Sequence, residues 1–168
     1  MTRSYELYLI RHGLAEEHSE AWPDDSKRPL TEAGMARMRK IARSLARLDV
    51  SIDVLLTSPL VRTRQTAEIV AAALEPKPAI VAVDALAPGG LQQAVLAELE
   101  KHTRKTVIGL VGHEPGIGEL AAKLIGLRHP LEFKKGAVCR IDVGALPPTG
   151  PASLRWFATP RMLRNIRR

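Results

Sequence analysis

A chain of 168 residues fits one domain, residues 1–168, with enough length to enclose a sizeable core. Its hydrophobic fraction of 45% and charged fraction of 26% are ordinary for globular proteins, and no apolar run approaches the roughly 20 residues that span a bilayer. The net charge of +7 favours anionic partners, whereas an aromatic content of 4% leaves little to stack on bases, so nucleic acid is not an expected partner.

The first residues run straight into an apolar strand, 5–10, without the apolar core and cleavage site of a signal peptide, and Cys139 is the single cysteine. Both suit a reducing cytoplasm. The segment 16–29 has few apolar residues and holds His18, Pro23, Asp24, Asp25 and Pro29, so it reads as a loop long enough to cover a site. Residues 31–48 follow as a helix, with Thr31 as its cap and Met35, Met38, Ile41, Leu45 and Leu48 along one face. A short apolar strand at 52–57 leads to Ser58-Pro59, read as a capping side chain and a first-turn proline for a helix reaching about Leu74. The alternation continues with a strand at 79–83, a helix at 91–101, a strand at 106–111 and a helix opened by Pro115. Two further strands, 137–143 and 153–158, are joined by the proline-rich stretch 144–151 and suggest a hairpin.

Strands alternating with helices predict an α/β three-layer sandwich: a mostly parallel central sheet, helices on both faces and an antiparallel edge. In such sheets ligands bind beyond the carboxyl ends of the strands. Three segments sit at such ends: Arg11-His12-Gly13, the stretch from Ser58 through Arg62 to Thr66, and Gly112-His113-Glu114-Pro115. Together they offer what phosphoryl transfer requires, a nucleophile and donors for the phosphoryl oxygens. A neutral His12, its second ring nitrogen fixed by a backbone carbonyl, is a competent nucleophile. Arg11 and Arg62 supply planar cationic forks, and Arg62 lies in a helix's first turn, where free amides favour anions. His113 is the expected donor to the charge that builds in the transition state, and Gly13 would let backbone approach a phosphate.

Leu9-Ile10-Arg11-His12-Gly13, the Ser58-Pro59 to Ala67 segment and Gly112-His113-Glu114-Pro115, in this order, resemble the signature of the histidine phosphatase superfamily, whose members share the phosphoglycerate mutase-like fold. Arg28-Pro29-Leu30-Thr31 resembles the family's helix-opening segment. Phe133 to Ala137 and Trp156 to Arg161 resemble its short, SixA-like phosphohistidine-phosphatase branch. The resemblance implies a transient phosphohistidine on His12, a phosphate pocket of Arg11, Arg62 and His113, and no metal or organic cofactor. It also marks Gly13, Ser58, Arg28 and Glu114 as substrate-binding candidates.

Larger members carry an acid after the third strand that protonates the leaving oxygen. Asp84 is the one acid in the matching stretch 83–90, where a turn-capping role competes with that of general acid. A weak or missing acid favours a phosphoramidate, whose departing imidazole can carry its own proton. The expected partner is therefore a phosphohistidine-bearing protein, acted on by a monomer. The alternatives are a small phosphorylated metabolite or polyphosphate, gathered by Lys134, Lys135 and the basic C-terminus, and a non-catalytic phosphate-binding module. His18, His102 and His129 lack motif context and are expected at the surface.

Overall fold

The first strand of the protein has no sheet neighbour in the half of the sequence that follows it directly. In the computed structural model, which describes residues 4–150 and 152–167, β1 (Tyr5–Arg11) lies between β4 (Val107–Gly112), to which it is parallel, and β5 (Val138–Val143), to which it is antiparallel. With β2 (Val54–Thr57), β3 (Ala79–Ala82) and β6 (Ser153–Ala158) these form one six-stranded sheet in the order β3-β2-β4-β1-β5-β6. The first four strands are mutually parallel and the β5–β6 hairpin closes one edge antiparallel, so the α/β three-layer prediction stands.

Helices α1 (Glu32–Arg47), α2 (Val61–Ala73) and α5 (Pro160–Arg164) cover one face through Met38, Ile41, Leu45, Ala67, Val70 and Leu163. On the other face, α3 (Gln92–Glu100) and α4 (Gly116–Ile125) pack Val95, Leu99, Ile117, Leu120 and Leu124 against alternate residues of the same strands, including Leu7 and Leu9. Burial on both faces is why β1, β2 and β4 are nearly continuous apolar runs. Strand β3 differs: three of its four residues are exposed, because it borders solvent at the sheet edge.

Helix α1 begins where predicted, with Thr31 Oγ1 accepting from Gly34 N at 2.9 Å. Leu48, placed by periodicity on its apolar face, caps the helix in solvent at 46% exposure. Helix α2 corrects a second expectation. It starts at Val61 rather than Pro59, its cap position is Leu60, and no side chain caps it. Ser58 Oγ nonetheless accepts from Leu60 N at 3.3 Å, just ahead of the helix.

Candidate active site

His12 follows β1 directly and is 6% exposed. Its Nδ1 lies 2.7 Å from the Gly13 carbonyl oxygen. A carbonyl only accepts, so Nδ1 carries the proton and Nε2 keeps its lone pair. The tautomer expected of a nucleophile is thus fixed by the neighbouring peptide. Gly13 itself behaves differently from expectation: its N–H donates to Thr66 Oγ1 at 3.1 Å, and a Cβ at this position would stand 2.6 Å from Met38 Cγ. Glycine is required here by the close approach of α1, and its amide is already engaged.

His113 ends β4, the parallel neighbour of β1, and its ring centroid is 5.1 Å from that of His12. Its Nε2 is 2.8 Å from Ser58 Oγ, which also accepts from Leu60 N. Arg62 sits in the first turn of α2, 4% exposed, beside both histidines. Its Nη1 and Nη2 donate to the backbone oxygen and Oδ2 of Asp25, each at 2.9 Å. Arg11 is partly buried, with Nη1 donating to the Phe133 carbonyl at 2.7 Å. Among the described residues, four buried side-chain nitrogens lack any partner: Arg11 Nε, Arg62 Nε, His113 Nδ1 and His102 Nε2, the last 3.5 Å from Glu98. Buried polar groups are normally satisfied. Three of these exceptions belong to residues around His12.

Three candidates have other primary contacts. Arg28 is a loop anchor, donating to Asp25 Oδ1 at 2.8 Å and to the Glu16 carbonyl at 2.7 Å. Glu114 borders the cleft beside His113, but its carboxylate accepts from Gly118 N at 2.8 Å and Phe133 N at 3.5 Å, tying α4 to the segment before β5. Asp84 is the exposed first residue of a 3-10 turn and lines a surface depression with Glu98 and Lys101. The cleft beside His113 is lined instead by residues 85–90 of the same stretch. Of the motif-free histidines, His18 and His129 are exposed as expected, His18 also touching Arg28 and Asp25, and His102 is half-buried rather than at the surface. Asp25 is the residue that sequence reasoning missed. Its carboxylate joins Arg28 to Arg62 and so fastens the 16–29 loop over the site; an acid three residues before Arg28 was the available signal.

Burial lowers the pKa of His12 to about 4, reinforced by Arg62, Arg11 and Lys135 and opposed by the bond to Gly13. Burial, His12 and Arg62 bring His113 down to about 3. Both rings are therefore neutral in the free protein at neutral pH. The unfolded chain takes up these two protons below the ordinary value of 6.5, whereas the folded chain refuses them until about pH 4 and 3. Stability from this source is complete above pH 6.5 and declines as the pH falls through that window, by on the order of a few kcal/mol. Urea midpoints should thus drop between pH 7 and pH 4.5, above the range where most carboxylates titrate, and far less in a variant lacking both rings.

A family model described as "Histidine phosphatase superfamily (branch 1)" matches residues 7–87, the stretch holding Arg11, His12 and Arg62. An uncharacterised protein of Picosynechococcus is 40% identical over 145 residues, covering 83% of this chain and 86% of its own. The chain belongs to the histidine phosphatase superfamily. As a superfamily member it also resembles the phosphohistidine phosphatase SixA of Escherichia coli, 29% identical over 161 residues, with 95% of this chain and 96% of that one covered. The structure of the protein histidine phosphatase SixA complexed with tungstate superposes with a TM-score of 0.82 at 27% identity, over 93% of this chain and 97% of that one. Among the described residues, no group of three or more His, Cys, Asp or Glu side chains converges as a metal site, and no helix is long and apolar enough to cross a membrane.

Proposed function

We propose that the protein is a phosphohistidine phosphatase in which His12 is the nucleophile and Arg11, Arg62 and His113 receive the phosphoryl oxygens. The observation that carries this reading is the set of partnerless buried nitrogens on those three residues around a histidine whose free nitrogen is Nε2. The Nε2 lone pair attacks phosphorus, the substrate's P–N bond breaks, and its electron pair returns to the departing imidazole. That ring leaves neutral when its other nitrogen already carries a proton. Water then cleaves the phosphoramidate on His12, releasing phosphate and restoring the free ring.

The choice of a phosphoramidate rests on the carboxylates that border the site. Asp25 is held ionised: burial pushes its carboxyl up, but the Arg28 and Arg62 bonds and charges outweigh that and keep it below the usual range. Glu119 accepts from Gln92 Nε2 at 3.0 Å, and Asp84 lies on another surface. None of these is poised to protonate an alkoxide. One observation favours a small phosphate ester as a second reading, since burial raises the pKa of Glu114 beside the His113 cleft. A comparison of kcat/KM decides between them. Phosphohistidine should be turned over at least about a hundredfold faster than matched alkyl phosphates, the scale of one missing general acid. Parity, together with loss of ester turnover in Glu114→Gln, would establish the second reading.

A further inference from the structure

Beside the proposed site, a groove runs from Arg11 across α1 to α5. Its floor is apolar: Leu14, Met38, Ile41 and Pro160 line it, closed by Gly13 and Gly34, which admit no side chain there. Its rim is cationic, formed by Arg11, Arg37, Lys134, Lys135, Arg161 and Arg164. No carboxylate lines the groove, and among the described residues none of the last five cations has a carboxylate partner. Arg37, Lys134, Lys135 and Arg161 are exposed. Arg140 and Arg155, by contrast, pair with Asp142 on the far edge of the sheet.

We infer that this groove docks an acidic, amphipathic segment of the protein whose phosphoryl group His12 removes. Unpaired cations around an apolar floor match a segment that alternates carboxylates with aliphatic side chains: the acids meet the rim and the aliphatic groups displace water from Met38 and Ile41. A bare polyanion would satisfy the rim but leave the floor wet. The groove also shares Arg11 and Gly13 with the strand end that carries His12, so an occupant is held directly alongside the reacting phosphorus. Effective concentration, rather than contact with the phosphoryl group, is what such docking adds.

The inference rests on the proposed phosphatase reading for its substrate, but its test separates the two. Arg37, Lys134 and Arg161 are exposed and outside the proposed phosphoryl pocket, so the triple variant R37E/K134E/R161E tests the rim alone. Turnover of free phosphohistidine should be unchanged, which also certifies the fold. For a phosphohistidine-bearing protein with an acidic flank, kcat/KM should fall at least tenfold, mostly through KM, since three rim pairs at about 0.5 kcal/mol each sum to about a tenfold effect. A fluorescein-labelled peptide of alternating Glu and Leu, without phosphate, should bind the parent and lose the same factor in the variant, as read by anisotropy. Equal peptide binding by parent and variant overturns the docking inference, as does displacement by polyphosphate as effective as by unlabelled peptide. Absence of turnover with either donor, while the peptide still binds through the rim, would instead overturn the phosphatase reading alone.

Discussion

Replacing His12 by alanine is expected to lower kcat/KM for any phosphoryl donor by about 10⁴-fold or more, the scale on which removing a nucleophile acts. No neighbour can take its place. His113 is 5.1 Å away between ring centroids, but its Nε2 is engaged by Ser58 Oγ at 2.8 Å. The variant should retain the anion site, because Arg11, Arg62 and His113 are held by Phe133, Asp25 and Ser58 rather than by His12. Vanadate or tungstate should then still bind while turnover and the alkali-stable phosphoenzyme both vanish. Phosphoenzyme persisting in His12→Ala would place the covalent step elsewhere and refute the mechanism.

The second large effect is expected at Arg62. Arg62→Ala should cost about 10²- to 10³-fold in kcat/KM, as loss of one preorganised donor to a developing oxyanion does. Arg62→Lys should recover only part of it, since one ammonium cannot reach two oxygens of Asp25 and an anion together. The stability cost should be small, near 1 kcal/mol, because the Asp25 side chain is 41% exposed and keeps its bond to Arg28. Steady-state kinetics run beside vanadate inhibition checks this. An inhibition constant unchanged in Arg62→Ala would remove Arg62 from the anion site.

Much of the fold was legible because its signals are local. Helix α1 declares itself through Thr31 and the spacing of Met38, Ile41 and Leu45, and β4 through an unbroken apolar run. The proposed site was legible as far as strand ends could place it, since His12, Arg62 and His113 follow three strands that prove to be neighbours. What stayed hidden depends on residues far apart in sequence. Gly13 answers to Met38 and Thr66, Asp25 to Arg62, and Ser58 to His113. A sequence window cannot show that Ser58 also meets a partner 55 positions away. Nor can it show that β3, as apolar in pattern as its neighbours, borders solvent.

The position of β1 has a consequence for how the molecule comes into being. Both strands that flank it, β4 and β5, are made after residue 106, so a growing chain must carry Leu7, Leu9 and Ile10 without their sheet partners until most of the polypeptide exists. Strand β4 also separates β1 from β2, so its arrival joins the strand that precedes His12 to the strand that precedes Arg62 and brings His113 with it. A nascent or truncated chain ending before β4 has its first histidine but lacks the strand that sets it beside Arg62 and His113.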